Sequence, residues 1–342
     1  RLTLGVLSST RKPDERRLAI HPLHLERIAP EVREQLFLEE GYGERFGVSD
    51  ADLKPLVGAV LPRAQIVAEA DVVITMLPTG QHVLNVLSGD GDALGLLAAA
   101  APDALFLECS TISVDDARTA HALMLETGHR GLDAPVSGGV VGAEAGTLTF
   151  MVGGAADDFA AALPLLDVMG GRVVHCGDAG AGQAAKICNN MILGVSMIAV
   201  SEAFVLGEEL GLTHEALFDV ASAASGQCWA LTTNCPVPGP VPASPANRDY
   251  QPGFAAALMA KDLGLAADAL DSTGVRAELG RRAGEIYRDL TASGGGGQDF
   301  SAVINSIRAA STASDPNIDQ HRNPTDGQPP AQTQPAEQSG AV

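Results

Sequence analysis

Short apolar runs alternate with amphipathic helical stretches through the first 180 or so residues, and few folds accept that pattern. The runs span residues 2–7, 35–39, 71–77, 104–110, 131–136, 148–152 and 172–176. Most are continuous rather than strictly alternating, as strands covered on both faces read. Between them, Val114–Glu126 and residues 157–169 carry helical periodicity. Strand followed by helix, repeated, predicts an α/β fold built on a Rossmann-like doubly wound sheet.

After Gly182 the pattern changes. Residues 183–210 form one helical stretch, which at 1.5 Å per residue runs roughly 40 Å. Further helical stretches cover 213–224, with Thr213 as N-cap, then 254–271, 274–293 and 300–308. An all-helical second domain is expected. Residues 235–252, rich in Pro and Asn, read as an ordered loop over a site. From Ala309 onward Pro, Gln, Ser, Thr, Asn and Asp dominate, and such a segment buries too little apolar area to offset its ordering entropy. Four segments follow: an atypical 1–70, the rest of the Rossmann-like domain at 71–180, a helical domain at 181–308 and a disordered tail at 309–342.

Charge narrows the partners. The formal net charge of −20 repels phosphate backbones and anionic lipid, which argues against nucleic-acid or membrane partners. No signal-peptide pattern opens the chain, so a cytoplasmic protein is the expectation. Cys109, Cys176, Cys188, Cys228 and Cys235 are odd in number and scattered, and neither CxxC nor HExxH occurs. Reduced thiols and no metal site are expected.

A dinucleotide-binding unit should open with a strand, a GxGxxG turn and a helix. Here the first strand runs into Gly5-Val6-Leu7-Ser8-Ser9-Thr10, which is no such fingerprint. Gly41-Tyr42-Gly43-Glu44-Arg45-Phe46-Gly47 is one residue too long, and a helix begins only at Ser49-Asp50, so it reads as a surface turn. Gly180-Ala181-Gly182-Gln183-Ala184-Ala185 follows a strand and opens a helix, but that helix leads into another helix. Its glycines are expected to let a helix N-terminus sit close to a substrate.

Two motifs can carry chemistry. Lys186 and Asn190, four apart, project from one helical face beside Ile187, Met191, Ile192 and Val195. Apolar surroundings lower a lysine pKa toward the range of a general acid or base. A snorkelling lysine is the alternative. Asp133-Ala134-Pro135-Val136-Ser137-Gly138-Gly139 stands at the end of a strand, where open α/β sheets bind ligands. Ser137 with the amides of Gly138 and Gly139 could hold a carboxylate, and an ordinary glycine turn fits equally well.

Taken together with Gly146-Thr147-Leu148-Thr149-Phe150-Met151-Val152-Gly153-Gly154, these stretches resemble the 3-hydroxyisobutyrate dehydrogenase family. Met76-Leu77-Pro78, Cys109-Ser110-Thr111-Ile112, Ser225-Gly226-Gln227-Cys228-Trp229-Ala230 and the stretch from Phe254 to Lys261-Asp262 resemble it too. The likeness runs in order from Asp71 to about Arg308. It implies NAD-dependent oxidation of the small-molecule 3-hydroxy acid 3-hydroxyisobutyrate to methylmalonate semialdehyde, a step of valine breakdown; the long apolar helix at 183–210 and the helical domain suggest a homodimer or homotetramer. It also implies roles: Lys186 catalytic; Ser137, Gly138, Gly139 and Asn190 on the substrate; Leu77, Pro78, His82, Thr111 and Lys261 on NAD. Trp229 is expected to pack beside the substrate.

Residues 1–70 instead resemble the N-terminal part of alanine dehydrogenases and carboxyethylornithine synthases, through Gly5-Val6-Leu7, Glu15 to Pro22 and Gly41-Tyr42-Gly43 to Asp50. That likeness implies substrate contact by Arg17, and a lysine expected near residue 75 is replaced by Met76-Leu77-Pro78. The switch falls near Ala70-Asp71. A chimera of this kind is expected to lack a working NAD pyrophosphate site.

Overall fold

The computed structural model describes residues 4–6, 22–90 and 93–312. The N-terminal unit is a parallel sheet of β1 (Leu4–Val6), β2 (Leu36–Glu39) and β3 (Ala59–Leu61), paired in chain order. Helical turns, α1 (Pro30–Arg33) and α2 (Asp50–Leu53), connect them, and α3 (Arg63–Glu69) follows. The sheet and its turns enclose a small core of Val6, Leu25, Leu36, Leu38, Tyr42 and Leu53. Gly41 and Gly47 take positive φ, and the Ser49 side chain caps α2, so the Gly41–Gly47 stretch is the turn its spacing implied. Residues 7–21, including Arg17 and most of the alanine dehydrogenase-like motif, lie outside the described residues.

The second unit begins with β4 (Val72–Thr75) and α4 (Gly80–Ser88). A small hairpin of β5 (Gly89–Asp90) and β6 (Ala93–Leu94) follows, then α5 (Leu96–Ala99), β7 (Leu105–Glu108), α6 (Val114–Glu126) and β8 (Arg130–Asp133). After β9 (Val136–Ser137) and α7 (Gly139–Glu144) come β10 (Leu148–Gly153), α8 (Ala156–Met169) and β11 (Gly170–Gly177). Strands pair in the order β11-β10-β8-β7-β4. Side chains alternate across the sheet: Phe106 packs on one face with Val83, Leu87 and Ala117, while Leu105 and Leu107 pack on the other with Leu132, Phe150 and Leu166.

Two departures from the sequence reading stand out. β10 runs antiparallel to β8 and β9, while β10 and β11 are parallel to each other. The atypical first unit forms its own three-stranded sheet, separate from the larger one, with β5 and β6 as a further two-stranded pair. In the dinucleotide fold the first strand sits between the second and fourth, in the order 3-2-1-4. Here β1 is the outer strand of its own sheet and β4 is the last strand of the larger one, with no ladder joining them among the described residues.

The helical half follows: α9 (Ala181–Glu209), α10 (His214–Ala223), α11 (Trp229–Thr232), α12 (Ala256–Thr273), α13 (Glu278–Ala292) and α14 (Val303–Thr312). Thr213 caps α10 as expected. α9 is long and apolar enough to cross a membrane by length and composition alone. Here Met197, Ile198, Phe204 and Val205 pack with Met259, Leu263, Tyr287 and Phe300 in one core. α14 ends at Thr312, four residues past the expected boundary of the tail. Ala309 and Ala310 are strong helix formers, and Ser311 and Thr312 hydroxyls donate back to the carbonyls of Ile307 and Arg308. The expected disorder of the remaining tail, 313–342, falls outside the described residues.

Candidate active site

α9 docks end-on against the sheet through its first turn. A Cβ at Gly182 would lie 2.4 Å from the Met151 carbonyl oxygen and 2.7 Å from that of Asp133, so only glycine lets the helix come this close. Gly182 therefore brings the helix close to β8 and β10. The helix has no capping side chain of its own, and its N-cap Gly180 has a φ of 86°. Asp133, at the end of β8, supplies the cap. Its two carboxylate oxygens accept from the amides of Gly180 at 2.7 Å and Gln183 at 2.8 Å.

One turn further along, Lys186 is only 7% exposed. Burial holds its pKa below that of a free lysine, and the nearby Lys261 ammonium acts in the same direction against the opposing pull of Asp262. Asn190, one helical turn on, donates from Nδ2 to Asp262 Oδ2 at 2.5 Å, and its Oδ1 accepts from Asn189. Asp262 also lies 3.5 Å from Lys261 Nζ. Burial raises the Asp262 pKa, opposed by both lysines and the Asn190 bond. Lys261 in turn donates to the Thr111 carbonyl, on the loop after β7.

Four side chains from α9 and α12, those of Lys186, Asn190, Lys261 and Asp262, thus cluster with the backbone carbonyl of Thr111 on the β7 loop. Leu77 joins it through its amide, which donates to Ser110 Oγ at 2.7 Å. Pro78 is exposed on the same loop, and His82 turns its ring nitrogen back onto Thr79, the cap of α4, at 2.7 Å. Ser137 pairs with Thr149 across β9 and β10. Gly138 and Gly139 both take positive φ, and a Cβ at Gly139 would meet the Gly253 carbonyl at 3.6 Å. Gly253, one residue past the expected loop, thus lies beside Gly139. Asp299 pins it by accepting from the amides of Gly253 and Phe254. Trp229 opens α11 half exposed. The glycine and lysine spacings located the motifs, whereas the partners Asp133, Gln183 and Asp299 carry no spacing signal and were missed.

Residues 180–307 match the family described as NAD-binding of NADP-dependent 3-hydroxyisobutyrate dehydrogenase, and residues 49–177 match the NAD binding domain of 6-phosphogluconate dehydrogenase. A Mycobacterium tuberculosis protein named "Probable 3-hydroxyisobutyrate dehydrogenase" is 57% identical over 249 residues, 73% of this chain and 82% of that protein. The chain belongs to the 3-hydroxyisobutyrate dehydrogenase family.

The solved Mycobacterium tuberculosis 3-hydroxyisobutyrate dehydrogenase with L-serine superimposes with a TM-score of 0.71 at 52% identity, covering 80% of this chain and 90% of that one. The NAD-dependent L-serine dehydrogenase of Pseudomonas aeruginosa is 49% identical over 234 residues, 68% of this chain and 78% of that protein. Members of the 3-hydroxyisobutyrate dehydrogenase family are NAD-dependent oxidoreductases with a Rossmann-like domain ahead of a helical one, as here. The first 48 residues lie outside both matched segments.

The residues present fit one half of NAD. The loops at the ends of β4 and β7, joined by the Leu77 amide to Ser110 Oγ and by Lys261 to the Thr111 carbonyl, offer polar groups that could hold its nicotinamide half. For the pyrophosphate half, the sequence holds no glycine fingerprint after the first strand, and β1 forms no ladder with β4 among the described residues.

Proposed function

We propose that this chain oxidises a small 3-hydroxy acid, 3-hydroxyisobutyrate foremost, to its semialdehyde, methylmalonate semialdehyde, with Lys186 as general acid and base. The observation that carries the reading is the buried Lys186, its ammonium form disfavoured, one helical turn from Asn190 and beside Lys261 and Asp262. Ser137 and the amides of Gly138 and Gly139 hold the substrate carboxylate, and Asn190 orients the C3 hydroxyl. The neutral Lys186 amine takes the hydroxyl proton as the C3–H bond breaks and the carbonyl forms. A bound NAD would supply the acceptor for the hydride that leaves C3. Leu77, Pro78, His82, Thr111 and Lys261 line its nicotinamide side. Fixed geometry and one poised base suffice when the cofactor carries the redox step.

3-Hydroxyisobutyrate and L-serine are both 3-hydroxypropanoates, differing at C2 as methyl or ammonium. NADH formation at 340 nm with each separates them by kcat/KM. Lys186→Ala should reduce turnover by at least 100-fold, on the scale of general base catalysis. Unchanged turnover in that variant refutes the role.

A second reading is favoured by the separate β1-β2-β3 sheet: a join near residue 70 that keeps the substrate site and loses the pyrophosphate grip. Calorimetric titration discriminates. Ordinary micromolar NAD affinity supports the first reading; carboxylate binding with no NAD binding supports the second.

A further inference from the structure

We infer that Gln183 is a positioning residue that sets the distance between the general base and the cofactor-side loop. The inference rests on the reading of Lys186 given above. Gln183 is fully buried on the first turn of α9, three residues before Lys186. Its side-chain amide grips the β7 loop at two points on either side of Thr111. Nε2 donates to the Ser110 carbonyl at 2.7 Å, and Oε1 accepts from the Ile112 amide at 3.2 Å. Its backbone amide is held by Asp133. One residue thus ties the strand end that caps α9 and the loop that carries Thr111 to the helix that carries Lys186.

The loop has little freedom elsewhere. Ser110 N–H donates to Glu108 Oε1 at 2.9 Å, and Ser110 Oγ accepts from Leu77 N–H. The Thr111 carbonyl accepts from Lys261 across from the helical half. With Ser110 fully engaged, Gln183 supplies the contact that fixes the whole Leu77–Ser110–Thr111 rim to α9. A buried glutamine with both amide groups satisfied by loop backbone cannot be replaced by an apolar side chain without leaving a buried carbonyl and a buried N–H unpaired. Their release shifts the rim relative to Lys186. A displacement of about 1 Å at a reacting centre costs roughly 100-fold in rate, while the substrate carboxylate, held by Ser137, Gly138 and Gly139, is not touched.

The test uses the full chain with Gln183→Met and Gln183→Glu. Hydrogen exchange in the cofactor-free protein reads the clamp directly: the Ile112 amide should lose protection in Gln183→Met and keep it in Gln183→Glu, which retains the acceptor. In turnover, Gln183→Met should lower kcat by about 10–100-fold, leave KM for the hydroxy acid within about threefold, and raise the primary isotope effect from deuterium at C3. Gln183→Glu loses the donor to Ser110 only when ionised, so its kcat deficit should shrink as pH falls. Unchanged Ile112 exchange in Gln183→Met, or an equal fall of kcat with no pH-dependent rescue in Gln183→Glu, overturns the inference. Should wild-type protein show no dehydrogenase turnover, the proposed function fails by itself, and the exchange measurement still decides the clamp.

Discussion

Replacing Asp133 by Asn tests whether a strand residue 47 positions from Gly180 holds α9 in place. Asp133 is 4% exposed, and its two oxygens accept from Gly180 and Gln183 at the N-terminus of a 29-residue helix. An asparagine keeps one acceptor and turns an NH2 toward the other amide. One bond to a charged acceptor, worth about 1.5–3 kcal/mol, is lost, and a backbone N–H is buried unpaired. The attraction between the carboxylate and the helix terminus, up to about 2 kcal/mol when partly buried, also goes. These contributions overlap, so a loss of about 3 kcal/mol is expected. At roughly 2–4 °C per kcal/mol for a chain of this size class, thermal unfolding should shift down by about 6–12 °C. Calorimetry or near-UV circular dichroism measures it. Asp133→Glu should not rescue, because the carboxylate is closely packed: a Cβ placed at Gly153 would lie 2.4 Å from Asp133 Oδ1, and one placed at Gly182 would lie 2.8 Å from Asp133 Oδ2. An Asp133→Asn protein within about 0.5 kcal/mol of the parent, the range of ordinary surface changes, would show that the helix does not depend on this carboxylate.

Three further outcomes are expected. Asp262→Asn removes the charge that raises the Lys186 pKa, so the acid limb of kcat/KM should move to lower pH while turnover falls with the loosened Asn190; an acid limb that stays put or moves up refutes the pairing. Glu108 is buried with Oε2 unpartnered, and burial raises its pKa. A raised folded-state pKa means the protonated carboxyl's contribution is whole below the ordinary value and lost as pH rises through the raised one. Glu108→Gln, which cannot ionise, should therefore gain stability over the parent from pH 5 to pH 8 in urea titrations, and a constant gap counts against it. Gly182→Ala places a Cβ against two carbonyl oxygens and should destabilise by about 3 kcal/mol or more, the upper range for overpacking, read as a lowered urea midpoint.

Local patterns were legible and long-range partners were not. α6, Val114–Glu126, has the bounds its periodicity implied, and α9 differs by two residues at its start, because a helix repeats every 3.6 residues whatever it packs on. β3, Ala59–Leu61, went unread because three residues give no period to count. The antiparallel turn of β10 escaped for another reason: a buried strand reads alike in either direction, and only the short β9 return through Val136–Ser137 reverses the chain. Lys186, Asn190 and Ser137 were found because their motifs are contiguous.

The residues that hold those three in register were invisible because each acts across tens of positions. Asp133 and Gln183 appeared only as letters inside motifs, yet one caps α9 and the other fastens it to the β7 loop, 71 residues away by its nearest bond. Such polar residues make no pattern, since a fully satisfied buried amide needs one partner geometry and no periodicity at all. The same reasoning bears on the N-terminal unit. A strand-helix alternation is satisfied by one sheet or by two, because each strand's pattern reports that it is covered and not which neighbour it pairs with. What bears on the cofactor question is therefore the pairing of β1, which forms no ladder with β4 among the described residues, rather than any side chain of the Lys186 cluster.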